Sequence, residues 1–154
     1  MARTKRIVEI AIAAALFAGC AGSVLAQDAA TAIAARKAAM KGNGAATAAL
    51  RGAATATDPG ALTAAGKTIQ ANLTTFAANL PKGSGPESGI PTRAKAEIWT
   101  DSAGFKAALD SALAAADTLA KAPDLASAQA AAGGVGRTCG GCHTKYQAPA
   151  TPAA

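Results

Sequence analysis

The most regular feature of the sequence is an apolar stripe at helical spacing. Its members follow one another by seven, four, three and four residues: Leu62, Ile69, Leu73, Phe76 and Leu80. This spacing puts them on one face of an α-helix, as at the seam of a helical bundle. Asp58-Pro59 before the stripe is typical of a helix start, and Pro81 after it predicts the helix end.

The rest of the chain also favours helices. Hydrophobic residues make up 51% of the sequence but aromatic residues only 3%, so most of the apolar content is alanine, a strong helix former. A β-sandwich or barrel would need branched and aromatic side chains on its inner faces. Because alanine buries little apolar area, helices of this composition would gain much from a large bound apolar group.

We predict an all-α fold, an antiparallel four-helix bundle with short connections at both ends and a longer middle crossing. The predicted helices cover about residues 29–54 and 58–80, a third stretch with an inner face from Phe105 to Leu119, and about residues 124–147. The turn-rich stretch 81–91 connects the second to the third, and Asp101 or Ser102 can cap the third.

The first 26 residues have the pattern of a secretory signal peptide. Three basic residues lie within the first six, an apolar stretch covers 7–18, and small residues lead to a cleavage position after Ala26. Two alternatives stay open, an uncleaved membrane anchor and lipid attachment at Cys20. The apolar stretch is shorter than the ~20 residues that a membrane span requires. We therefore predict a signal peptide over 1–26 and one domain over 27–154.

Residues 139–143 read Cys-Gly-Gly-Cys-His, the signature of covalent c-type haem attachment. Cys139 and Cys142 have the spacing needed to add to the two haem vinyl groups, and the adjacent His143 can ligate the iron. The alternatives are a redox-active pair, a disulfide and half of a zinc site. A redox-active pair usually lies near a βαβ pattern, and a zinc site needs a second pair of ligands. The sequence contains neither.

The predicted topology brings the first and last helices side by side. Met40, the one methionine of residues 27–154, could then face His143 across a bound cofactor. The last helix also contains Gly133, Gly134 and Gly136, which cost roughly 1 kcal/mol each relative to alanine. We interpret this cost as a sign that a haem face approaches the helix closely.

Three features together resemble the class II c-type cytochromes, that is, the cytochrome c′ family and its low-spin relatives. They are the C-terminal Cys-x-x-Cys-His motif, Arg36 four residues before Met40, and Trp99 followed by Phe105. The resemblance implies a periplasmic four-helix bundle with one haem c, often dimeric through its first two helices. It also implies that Arg36 lies near a haem propionate and that Met40 lies over the distal haem face.

The family divides on the residue at the distal face. In its low-spin branch a methionine completes the iron coordination and the protein carries electrons; in five-coordinate members the sixth position is open and binds NO or CO. Residues 41–44, Lys-Gly-Asn-Gly, resemble the low-spin branch more closely. We therefore expect an electron-transfer protein in which His143 and Met40 are the axial ligands, with the five-coordinate gas-binding protein as the alternative.

Other residues are weaker candidates for the site. Lys145 or Arg137 could meet the propionates but are expected to be exposed. Trp99 and Phe105 are expected in the core, and Tyr146 against the first helix or the haem edge. No hydrolase triad or phosphate loop is present in the sequence, so an enzyme is not expected.

The net charge bears on the choice of partners. Cleavage after Ala26 would lower the formal charge from +6 to +4, and two ionised propionates would lower it further to about +2. Such a charge suits docking to an acidic periplasmic redox partner. The basic residues are dispersed and aromatic residues are scarce, so we expect no nucleic-acid partner. We also expect no membrane span in the mature protein.

Overall fold

The computed structural model of the protein describes residues 20–150, with side chains from Ala29 onward. Its helices, in chain order, are α1 Cys20–Arg51, α2 Gly60–Ala78, α3 Glu97–Thr100, α4 Ser102–Ala120 and α5 Leu125–Tyr146. Short 3-10 turns lie at Ala53–Thr55 and Pro86–Ser88. The predicted all-α class is confirmed for this part of the chain, whose one β-type contact is an isolated bridge between Ala94 and Gln147.

Aspartate side chains fix the starts of three helices. Asp101 accepts a hydrogen bond from the backbone N–H of Gly104 at the start of α4, and Asp124 accepts one from Ser127 at the start of α5. Asp58 accepts one from Gly60, the first residue of α2. Each bond satisfies a donor that has no partner within its own helix, so these ends lie close to where the sequence predicted them.

The core forms where α2, α4 and α5 meet. The predicted stripe supplies three of its buried members, Leu62, Ile69 and Leu73, while Phe76 and Leu80 are partly buried. Gly66 lets α2 approach α4 closely, because a Cβ at this position would lie 2.6 Å from the backbone nitrogen of Ala120. The remaining buried members of this cluster come from α4, from α5 and from the 3-10 turn that follows α1: Ala53, Ala112, Ala116, Leu119, Ala128, Ala132 and Val135.

The long helices pack in sequence order, α1 along α2, α2 along α4, and α4 along α5. The first and last helices, α1 and α5, touch at few positions, so the bundle opens between them. At one end, Ile98 of α3, Phe105 of α4 and Tyr146 of α5 form a second apolar cluster. This arrangement leaves a cavity with walls from α1 and α5.

The predicted signal peptide falls largely outside the described residues. Helix α1 begins at Cys20, before the expected start near residue 29, and continues through Gly42 and Gly44 without a break. Cleavage after Ala26 and the alternative at Cys20 stay predictions. Within residues 20–150, no helix combines the length and apolar character that crossing a membrane would need.

Candidate haem site

The Cys-x-x-Cys-His motif lies in the last turns of α5. Cys139 and Cys142 are half-buried and their thiols are free. Burial raises the pKa of both thiols, and the neighbouring Cys139 adds to the rise at Cys142. A redox-active pair needs a lowered pKa, so this environment disfavours the thioredoxin-like alternative.

His143 lies one residue further along, at the rim of the cavity, and its side chain is exposed. Partial burial lowers the pKa of His143, and the positive charge of Arg93 lowers it further. Both effects favour the neutral imidazole, which is the form that binds a metal ion.

The cavity has a volume of about 590 Å³ and a mostly apolar wall. Cofactor sites commonly have volumes of about 300–1,000 Å³ with a few polar groups among apolar ones. Met40 borders this cavity from α1, and the Cys-x-x-Cys-His motif borders it from α5. The structure thus brings Met40 and His143 to one cavity, as the predicted topology required.

One of the three helix glycines fits the predicted close approach of a haem face. A Cβ at Gly136 would meet no protein atom within 4 Å, and this residue lines the cavity. At Gly133 and Gly134 a Cβ would meet only the flexible side chain of Arg137. Gly133 and Gly134 do not line the cavity. The interpretation that a haem face approaches the helix at its glycines is therefore supported for Gly136 alone.

The charged residues in the cavity wall are all basic: Arg36, Lys37 and Arg93. Carboxylates are missing from the wall, so a ligand carrying ionised propionates would meet attraction there. The predicted alternatives Lys145 and Arg137 are exposed and do not line the cavity.

Arg36 is buried, with only 3% of its surface exposed, and is not the solvated charge that a helix-face arginine usually is. Its Nη1 donates to the carbonyl of Asn79 at 2.7 Å and to Oγ of Ser84 at 2.8 Å, and its Nη2 donates to the carbonyl of Ser84 at 2.6 Å. The guanidinium also lies 5.7 Å from the centre of the Trp99 ring. Both terminal nitrogens are therefore engaged by the α2–α3 connection, and a propionate contact of Arg36 stays a prediction.

Burial lowers the pKa of Arg36, and the negative charge of Glu87 opposes part of that effect. Arginine remains charged in proteins even so. The cavity wall therefore contains a fixed positive charge bound to a loop.

The aromatic residues pack at the end of the cavity. Tyr146 contacts Phe105 edge to face, with ring centres 5.1 Å apart, and its hydroxyl donates to Asp101 at 2.8 Å. Tyr146 thus packs on the start of α4 and also lines the cavity, and the expected position at the haem edge stays a prediction. Trp99 is half-buried and donates through Nε1 to the carbonyl of Leu80, so it closes the end of the bundle.

Two contributors to the site went unnoticed in the sequence. Asn43 is buried in the cavity wall, and Arg93 lines its mouth. Arg93 is placed by long-range contacts, since its Nε donates to the carbonyl of Ala148 and its Nη2 to the side chain of Gln147. No local pattern in the sequence indicates these contacts of Arg93. Asn43 could have been noticed, because it is a polar residue one helical turn after Met40.

A sequence model of one family, described as cytochrome C′, matches residues 31–147. The match spans the cavity and the Cys-x-x-Cys-His motif together. The chain belongs to the cytochrome c′ family. The cofactor of this family is one covalently attached haem c, which is the group predicted from the motif. The donor set of Cys139, Cys142 and His143 and the apolar cavity beside it fit that group.

Known cytochromes c′ resemble this chain in sequence and in structure. It is 46% identical over 68 residues to cytochrome c′ of Rubrivivax gelatinosus, a stretch that covers 42% of this chain and about half (53%) of that protein. The crystal structure of the Rubrivivax gelatinosus protein is similar, with a TM-score of 0.67 at 30% identity, over 75% of this chain and 94% of that one. Cytochrome c′ from Rhodobacter Spheriodes gives a TM-score of 0.69 at 25% identity, over 79% and 98% of the two chains. These structures confirm the four-helix bundle.

The comparisons do not support the finer expectation of a low-spin, six-coordinate cytochrome c′. The resemblance of residues 41–44 to that branch was its sequence basis, and such a short segment carries little weight beside a match over residues 31–147. The five-coordinate alternative fits the family better than ligation by His143 and Met40.

Proposed function

We propose that this protein is a five-coordinate monohaem cytochrome c′ that binds a small diatomic gas, NO or CO, and that it is not an enzyme. The observation that carries the proposal is the cavity between α1 and α5. It leaves room on the side of α1 facing the Cys-x-x-Cys-His motif. A cytochrome c prime from Alcaligenes xylosoxidans, which shares the fold at 22% identity and a TM-score of 0.68, is known as a nitric oxide complex of a mutant.

Each part of the site has a distinct role in this proposal. Cys139 and Cys142 would hold the haem through thioether bonds, and His143 would bind its iron through the imidazole. The apolar wall excludes water, while the basic residues at the mouth attract the propionates. When bound, the haem would supply the iron chemistry that takes up a diatomic gas.

Met40 is proposed to pack over the open position without ligating it. Its side chain packs against the main hydrophobic cluster of the bundle and lines the cavity. Its sulfur lies 3.9 Å from Nδ2 of Asn43, so the thioether already faces a donor within α1. Methionine fills irregular apolar spaces readily, which accounts for its presence there without a bond to iron.

Optical spectra of the protein with bound haem, with and without CO, test this role of Met40. We expect broad high-spin ferric and ferrous spectra that change when CO is added. Met40→Leu, a substitution of similar volume, should leave the spin state unchanged because no ligand is lost.

The electron-carrier alternative predicts the opposite spectra. Sharp low-spin bands, a sulfur-to-iron charge-transfer band in the ferric protein and poor CO uptake would contradict the proposal. In that case Met40→Leu would convert the spectrum to high spin, and Met40 would be the sixth ligand.

We also propose that the protein works in the periplasm. The predicted signal peptide over 1–26 and the family assignment support this location. Mass measurement of the protein from a periplasmic extract tests it, because export predicts a chain that begins at Gln27. A chain that retains Met1 in the cytoplasm would contradict it.

A further inference from the structure

The cavity wall contains one buried polar side chain that the protein leaves almost without partners. Asn43 is 9% exposed, and its Oδ1 has no hydrogen-bond partner among the described residues. Its Nδ2 approaches only the sulfur of Met40, at 3.9 Å. A thioether is a weak acceptor, so the amide is close to unsatisfied.

The amide therefore keeps hydrogen-bonding capacity that a molecule in the cavity could use. A buried polar atom without a partner costs about 1–3 kcal/mol. Asn43 follows Met40 by three residues on α1, so both project from one face of that helix. Both line the cavity that the Cys-x-x-Cys-His motif borders from α5. The amide is therefore available to a molecule held on the α1 side of the cavity.

A second asparagine provides the contrast. Asn72 of α2 also has a buried amide nitrogen without a partner, but it does not line the cavity. It packs against α1, where a Cβ at Gly42 would lie 2.7 Å from its Nδ2. Each of the two amides has a buried atom without a partner, but of the two only Asn43 lines the cavity.

We propose that Asn43 donates a hydrogen bond from Nδ2 to the diatomic gas bound in the cavity. The inference rests on the function proposed above. NO and CO have no hydrogen to donate, so they leave Oδ1 without a partner, and the proposal depends on the amide NH₂, whose only protein contact is the weak one to the sulfur of Met40. That NH₂ carries two hydrogens, of which one is directed at the sulfur of Met40.

The test compares Asn43→Leu with Asn72→Leu in the ferrous protein with bound haem, using CO as the probe. Infrared spectroscopy gives the C–O stretching frequency, which falls when a donor contacts the oxygen. We expect Asn43→Leu to raise that frequency and to weaken CO binding about 2- to 12-fold, the worth of one ordinary hydrogen bond. Asn72→Leu should leave both quantities at their wild-type values.

A second measurement, unfolding by urea without CO, tests whether the amide is unsatisfied. Both variants should unfold at higher urea concentration than the wild type, because each replaces an unpartnered buried amide by an apolar side chain. Asn43→Ala gives the same CO comparison if leucine overfills the site.

The outcomes separate the two proposals. CO binding with the same frequency and affinity in wild type and Asn43→Leu would overturn the role of Asn43 and leave the proposed function standing. Equal shifts in Asn43→Leu and Asn72→Leu would also overturn it, because the effect would then come from packing. A wild type that binds no CO would overturn both proposals.

Discussion

Arg36 is the residue that ties the α2–α3 connection to the first helix. Its guanidinium donates three hydrogen bonds, one to the carbonyl of Asn79 and two to Ser84, which is fully buried. Trp99 lies beside the same guanidinium and closes the end of the bundle. A positive charge in the cavity wall is thus combined with a structural bond to the loop that covers this end.

Removing that side chain should destabilise the protein. We expect Arg36→Ala to lower the free energy of unfolding by about 3 kcal/mol, because buried acceptors would lose their donor. Urea unfolding of the protein with bound haem measures it. Lys41→Ala, at an exposed position of the same helix outside the cavity wall, is the control and should change stability by less than about 0.5 kcal/mol. Equal effects of the two substitutions would contradict the role given to Arg36.

The sequence was most informative at residues whose chemistry depends on local spacing. Cys139, Cys142 and His143 could be recognised because thioether attachment fixes their separation. The partners of Arg36 lie 43 and 48 residues away in the chain, so no local pattern could reveal them. The position of Arg36 near the cavity could be predicted, whereas its bonds to the loop could not.

At the scale of elements, the junction between α4 and α5 depends on one carboxylate. Asp101 caps α4 through Gly104 and accepts from Tyr146 and Lys145 of α5. The hydrogen bond from Lys145, and then that from Tyr146, holds the pKa of Asp101 below its ordinary value. This carboxylate therefore links the start of one helix to the end of another.

The lowered pKa predicts how stability depends on pH. The contribution of Asp101 is fully present above the pKa of the unfolded chain, about 3.9, and is lost as the pH falls through the lower pKa of the folded protein. Asp101→Asn, which retains a capping side chain, should therefore reduce the loss of stability below about pH 4.

Urea unfolding at a series of pH values down to the acid limit measures this effect. Tyr146→Phe, which removes one donor to Asp101, should reduce the acid loss by a smaller amount. Parallel acid profiles for wild type and Asp101→Asn would show that the carboxylate does not link the two helices in this way.

The helices themselves could be predicted because periodicity and capping are local. The stripe from Leu62 to Phe76 lies on α2 and the cap lies at Asp101, as the sequence indicated, whereas Leu80 follows the end of the helix at Ala78. The path of the connection from 79 to 95 could not be predicted, because it is fixed by contacts with distant parts of the chain. Examples are the bond from Lys95 N–H to the carbonyl of Tyr146 and the bond from Ala148 N–H to the carbonyl of Arg93. The closeness of α2 to α4 at Gly66 also depends on two helices at once.

At the scale of the whole molecule, the decisive feature is that α1 and α5 are held apart. The long helices that follow one another in the chain pack along their length, while α1 and α5 border a mostly apolar cavity of about 590 Å³. An alanine-rich bundle has little apolar area to bury between them, so a large apolar cofactor supplies contacts that the side chains do not. The composition therefore predicted a bound group, and the motif identified it.

Spin state could not be obtained from the same reasoning. A methionine beside a cavity has the same residue type whether it ligates iron or packs over it. The choice depends on the position of one sulfur atom, which composition and periodicity do not determine. The family match over residues 31–147 and the contact between Met40 and Asn43 support the proposal that Met40 does not ligate the iron.

The electron paramagnetic resonance spectrum of the purified ferric protein tests this central claim most directly, because it reports the spin state without any substitution. Iron held by His143 alone should give a high-spin signal. A low-spin signal as the main species at neutral pH would mean that a sixth ligand is bound, and would contradict the account.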